Sequence, residues 1–230
     1  MATNRFSIGD AVRFGWEAMK NNLAFFVVIV LIAWVVEGVP SGLQSIFYDT
    51  WALVIVLSLI SAVIGVFVHM AYVRIGLLFA GGEVADYPDL YLSYPLFWKF
   101  LAGSILYGLI VLGGLILLIV PGIIFAVKYQ FFAYLIIDQG AGPVDSIKRS
   151  GEITRGAKWD VFVLDLAFLG INLLGFLACF VGLFATIPTT MVAMAYVYRR
   201  LLATPAVGLH VEDQGSEAAP ADEPPVEPQP

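Results

Sequence analysis

The sequence predicts an all-α, polytopic membrane helix bundle with six transmembrane helices, and three observations carry that reading. Of the 230 residues 60% are hydrophobic and 13% charged, with a mean hydropathy of +0.89, whereas a soluble domain carries roughly 45–50% apolar and about 25% charged residues. Uncharged runs extend from Trp51 to Val68, Phe100 to Val127 and Leu166 to Tyr198, and a bilayer-spanning helix takes roughly 20 residues. Apart from Lys128, Lys and Arg fall in the terminal segments and alternate connections, the pattern expected when these lie on the cytoplasmic side.

Taken in order, residues 6–23 place Ile8, Ala11, Val12, Gly15, Trp16, Met19 and Leu23 on one side of a helical wheel and Asp10, Arg13, Glu17 and Lys20 on the other, which is the pattern of an interfacial amphipathic helix. Spans follow near Leu23 to Val39, Trp51 to Phe79, Leu96 to Val120, Gly122 to Ile137, Val161 to Leu183 and Thr189 to Leu202. The third and fourth are so close that the reversal between them must be tight. Pro121-Gly122 suits it, since proline is tolerated at the first helical position and glycine in a tight turn. Gly113-Gly114 could serve instead, with Pro121 as a kink. The fifth and sixth spans are expected to reverse near Pro188.

The basic residues set the orientation. Arg5, Arg13 and Lys20 lie in the first segment, Arg74 and Lys99 flank the second connection, Lys148, Arg149, Arg155 and Lys158 fill the fourth, and Arg199 and Arg200 close the sixth span. The intervening turns carry none, so both termini are expected in the cytoplasm of a cell with this protein in its cytoplasmic membrane, a bacterial one by the resemblance below. The Leu23–Val36 run behind a long, helix-patterned basic region lacks a clean small-residue cleavage site and reads as a retained span.

Residues 1–203 form the membrane domain. Residues 204–230 hold six acids, no base and six of the 12 prolines, a composition that predicts a disordered, acidic, Pro-rich cytoplasmic tail. The single cysteine, Cys179, lies in an apolar run and reads as packing.

Internal repetition divides the membrane domain further. The acid–base order Asp10, Arg13, Glu17, Lys20 recurs 135 residues later as Asp145, Lys148, Glu152, Arg155, each ladder setting opposite charges at neighbouring helical positions. A shortened middle copy runs from Asp89 to Lys99, and Val39-Pro40-Ser41, Val120-Pro121-Gly122 and Ile187-Pro188-Thr189 mark three outer reversals. Three units of amphipathic cytoplasmic segment plus helical hairpin result, about 6–80, 87–138 and 143–203, in the manner of membrane folds built on internal repeats.

The segment VPGIIFAVKYQFFAYLIIDQGAGPVDSIKRSGEITRGAKWDVF, residues 120–162, carries Pro121-Gly122, Lys128, Gly142-Pro143, Lys148, Ser150, Thr154 and Gly156. It resembles the membrane domain of glycerophosphodiester phosphodiesterases and related uncharacterised bacterial multi-pass membrane families. In those phosphodiesterases the chemistry belongs to a separate soluble barrel, so the resemblance implies a membrane module and carries over no hydrolase activity.

The residues themselves show no catalytic machinery: no H-E-x-x-H, P-loop, G-x-S-x-G or paired-cysteine motif occurs, His69 and His210 are isolated, and no metal or cofactor set is present. Glu37, Lys128 and Asp165 fall within spans, where ionisable groups need partners or water. Counting rise from the outer turns places Lys128 and Glu37 at similar depth, which suggests an intramembrane ion pair; Asp165 is expected to meet a basic loop residue. Lys148, Arg149, Arg155 and Lys158, with Trp159, could hold anionic lipid headgroups. The expected role is therefore membrane-organising or interactive, without enzymatic activity and without nucleic acid as partner. The alternative is a small-solute, ion or lipid transporter with a polar site at Glu37 and Lys128.

Overall fold

A computed structural model describes residues 6–90, 93–178 and 180–204. They form helices and no strand among them: α1 (Ile8–Asn21), α2 (Leu23–Ile46), α3 (Trp51–Ala80), α4 (Phe97–Leu117), α5 (Ile119–Tyr129), α6 (Phe132–Gln139), α7 (Pro143–Ile153), α8 (Lys158–Leu177) and α9 (Leu183–Ala203), with 3₁₀ turns at Tyr87–Leu90 and Tyr94–Leu96 between α3 and α4. Cys179, His210 and the acidic tail beyond Thr204 lie outside the described residues.

Local chemistry explains most of the boundaries. Ser7 caps α1, its Oγ accepting from the Asp10 N–H at 3.3 Å, and Asp10 and Lys20 suit the positive and negative ends of the helix. The chain turns at Asn22, whose side-chain amide donates to the Ala18 carbonyl at 3.0 Å. Gly140, at φ 63°, ends α6 in the left-handed region that glycine enters freely, and Lys99 at the start of α4 donates to its carbonyl at 2.9 Å. Pro143 opens α7 at the first helical position.

Three reversals differ from the sequence reading. Pro40 stands inside α2, which runs on to Ile46, and the chain turns at Phe47–Thr50. Pro188 likewise stands inside α9. The fifth span ends at Leu177 and the last helix begins at Leu183, before Pro188 is reached. Between α4 and α5 the chain reverses at Leu118, in extended conformation, three residues before Pro121. Both candidate glycine pairs flank this turn and pack on each other: a Cβ on Gly114 would come within 2.9 Å of the Gly122 Cα. Proline thus sits within or at the start of helices here, where the missing N–H is tolerated.

Among the described residues five stretches are long and apolar enough to cross a membrane: α2, α3, the stretch ending with α4, α5 together with α6, and α8. The ninth helix is not among them. It lies at the centre instead, against α1, α2, α3 and α8, with Val192, Ala193, Ala195, Val197 and Tyr198 fully buried. The apolar face of α1 packs on this helix and not on lipid alone: Ala11, Gly15 and Met19 are buried, and a Cβ on Gly15 would collide with the Thr189 carbonyl oxygen. Trp16, read from the wheel as part of that face, is 43% exposed.

Exposure divides the molecule into two regions. Large exposed apolar side chains crowd α2, the first half of α3, the second half of α4, α5 and the second half of α8; α6 and α9 carry none. Buried side chains concentrate in α6, α9 and the end of α3, with α1 and α7 packed over them. Of the two amphipathic helices, α1 lies along α9, and α7 packs against α4, α5 and α6.

Candidate functional site

The segment from α5 to α8 holds the densest polar structure near the apolar belt. An uninterrupted helix over residues 119–139 would satisfy its own backbone; here it breaks at Gln130 and Phe131, releasing N–H and C=O groups that are costly to bury unpaired. Two hydroxyls, of α7 and of the residue that follows it, take them up. Ser150 Oγ accepts from the Phe131 N–H at 3.1 Å and donates to the Lys128 carbonyl at 3.1 Å, and the hydroxyl of Thr154, just past the end of α7, shares its proton between that carbonyl at 3.0 Å and the Ser150 carbonyl at 2.8 Å. Both residues are wholly buried. Gly151 between them lets α7 approach: a Cβ there would lie 3.0 Å from Lys128 Cε and 3.1 Å from the Tyr129 ring.

Each predicted residue can now be placed. The Lys128 ammonium donates to the Tyr129 hydroxyl at 2.8 Å and lies 4.6 Å from the centre of that ring. Glu37 is exposed on α2. The structure does not bring Glu37 and Lys128 together: the ion pairs among the described residues are Arg13–Glu17, Arg74–Asp89 and Arg199–Asp138, at 3.7, 3.9 and 3.8 Å. The depth count that suggested the pair assumed an unbroken fourth span and a first span ending at Val39, and neither holds. Asp165 meets Gln130, which donates to its Oδ2 at 3.0 Å, and not a basic loop residue. His69 lies edge-on to Phe100, 5.3 Å between ring centres.

Lys148, Arg149, Arg155 and Lys158 are all exposed, and none forms an ion pair. Lys148 and Arg149 ride on the outer side of α7, Arg155 stands in the turn after it, and Lys158 begins α8. That turn is closed by Gly156 at φ 85°. Beside it, α5 and α8 enclose a groove of about 520 Å³ lined by Val120, Ile123, Ile124, Val127 and Phe162, with Lys158 and Trp159 completing it.

One polar cluster escaped the sequence reading. Asp138, at the end of α6, accepts from the Tyr198 hydroxyl at 3.1 Å and pairs with Arg199, which also donates to the Leu77 carbonyl at 3.2 Å. It ties together α3, α6 and α9. The signal available was Asp138 directly after an apolar run, with no local base to answer it.

These features define a class, an all-helical protein with several membrane-length apolar helices and an interrupted helix capped from a neighbouring amphipathic one. Within that class the chain belongs to the family described as protein of unknown function (DUF975), whose model matches residues 50–204. An uncharacterised protein of Mycobacterium bovis is 30% identical over 232 residues, covering 87% of this chain and 70% of its own length, and so is one of Mycobacterium tuberculosis strain CDC 1551. No solved structure matches. The expected kinship with uncharacterised bacterial families is thus met, while nothing in these matches points to the membrane domain of glycerophosphodiester phosphodiesterases.

Proposed function

We propose that this protein is a multi-pass component of a bacterial cytoplasmic membrane that organises or anchors partners at the cytoplasmic face and performs no enzymatic chemistry. The observation that carries the reading is the division between a belt of exposed apolar side chains and a compact layer of buried ones covered by α1 and α7. An apolar belt is at home in hydrocarbon. The outer edge of the buried layer, formed by Lys148, Arg149, Glu152 and the charged side of α1, is suited to the headgroup region and the cytoplasm.

On this reading the chain crosses six times, α9 being the sixth span. It needs less apolar character than the others because its neighbours shield it. Three units repeat the plan of amphipathic segment and hairpin, and their contacts follow a circular order: α7 packs on α6, the 3₁₀ turn Tyr87–Leu90 on α3, and α1 on α9. Both ends are assigned to the cytoplasm because the bases cluster in the first segment, the second and fourth connections and at Arg199 and Arg200. The lipid bilayer is the first partner and nucleic acid is not one. The transport alternative would need a polar site other than a Glu37–Lys128 ion pair, which does not form among the described residues.

Cysteine labelling in intact cells tests the reading. In a Cys179→Ser background, Ser45→Cys and Val181→Cys, both at exposed positions near outer turns, should react with an impermeant maleimide, and Glu152→Cys only after permeabilisation. External reaction at Glu152→Cys overturns the orientation. Gradient-driven uptake by the protein in liposomes, abolished in Asp165→Asn, would replace the anchoring role with transport.

A further inference from the structure

We propose that the groove between α5 and α8 is a selective site for an anionic phospholipid, one acyl chain lying along Ile123, Ile124 and Phe162 with the phosphate held at Lys158. This rests on the membrane reading given above and adds a ligand to it.

The groove is chemically one-sided. Its walls are aliphatic and aromatic: Val120, Ile123, Ile124 and Val127 recur on one side of α5 at helical spacing, facing Phe162 of α8. Its volume of about 520 Å³ is within the roughly 300–1,000 Å³ usual for ligand pockets. Ile123 and Ile124 are 41% and 45% exposed, so no side chain fills it. At its end the character changes abruptly, since Lys158 and Trp159 are the first two residues of α8.

Three facts make that end an anion site and not merely a polar rim. Lys158 is exposed and in no ion pair. The first turn of α8 has no side-chain cap, leaving open N–H groups at the start of a 20-residue helix, with Asp160 the one acid of that turn. Arg155 stands three residues earlier, exposed and also unpaired. The acid nearest in sequence, Asp160, is two residues from Lys158 and so is turned about 200° round the helix from it. Trp159, 73% exposed, has the amphipathic ring that settles at headgroup level. A phosphate with an attached apolar chain answers both halves at once; a free phosphate answers one, and a zwitterionic lipid brings its own cation to the lysine.

The test uses the full-length protein purified in mild detergent and stripped of lipid, titrated with phosphatidylglycerol or phosphatidylcholine of identical acyl chains and read by native mass spectrometry. Phosphatidylglycerol should be retained preferentially, and Lys158→Gln should cut that preference about fivefold, the factor corresponding to one base near an anionic surface. Lys20→Gln, on the remote α1, should leave it unchanged. Ile124→Trp should lower retention of both lipids by filling the groove. Equal retention of the two lipids overturns the site, as does a preference that survives Lys158→Gln or falls equally with Lys20→Gln. Failure here leaves the labelling pattern untouched, whereas failure of the membrane reading appears in that pattern first.

Discussion

Ser150 and Thr154 have the clearest individual roles, because each answers a backbone group that the break in the α5–α6 helix leaves open. Removing one hydroxyl strands a buried donor or acceptor at a cost of about 1–3 kcal/mol. Ser150→Ala should therefore destabilise more than Thr154→Val, since it strands the buried Phe131 N–H, whereas the Lys128 carbonyl keeps one hydroxyl donor in either variant; chemical denaturation in detergent micelles checks the order. Lys128 and Glu37 give the opposite expectation. With no shared contact, Glu37→Gln and Lys128→Met should add to within about 0.5 kcal/mol in a double-mutant cycle, and a larger coupling would restore the ion pair. Nothing in sequence distinguishes these cases, because both depend on which residues face Lys128 from another helix.

At the scale of the element, α1 and α7 carry similar charge ladders and yet dock differently. The hydroxyls of α7 reach backbone at a break, whereas α1 uses Gly15 to close on the intact α9 backbone. Gly15→Val should therefore push α1 off α9, exposing Met19 and Ala11, with a loss of several kcal/mol by overpacking. Limited proteolysis should then cut within residues 8–22, and unchanged resistance would mean that α1 adjusts freely. The amphipathic pattern predicted each helix well, since a period of 3.6 is a local property. It could not say that the covered face meets protein more than lipid.

For the whole molecule the acidic tail is the simplest test. Its proline density and unopposed charge predict that it contributes no packed core, so truncation after Thr204 should leave insertion and thermal stability almost unchanged. A marked fall in melting temperature would mean that the tail docks on the exposed bases Lys148, Arg149, Arg155 and Lys158. The division into apolar belt and buried layer lies at this scale as well. It sets the groove and Lys158 at the junction of the two regions, which no single helix reveals.

By itself the sequence determined the helical class, the membrane-length apolar stretches, the amphipathic α1 and α7 and the clustering of bases, because each follows from composition or period within one segment. Tertiary structure alone decided that Pro40 and Pro188 continue helices, that the 119–139 helix breaks at Gln130–Phe131, that Asp165 faces Gln130, and that α9 is central. For the break and for Asp165 the reason is the same. An open backbone group or a polar side chain in apolar surroundings is settled by whichever partner reaches it: Ser150 lies 19 residues from Phe131, and Gln130 lies 35 from Asp165. Such partners are brought together only by packing.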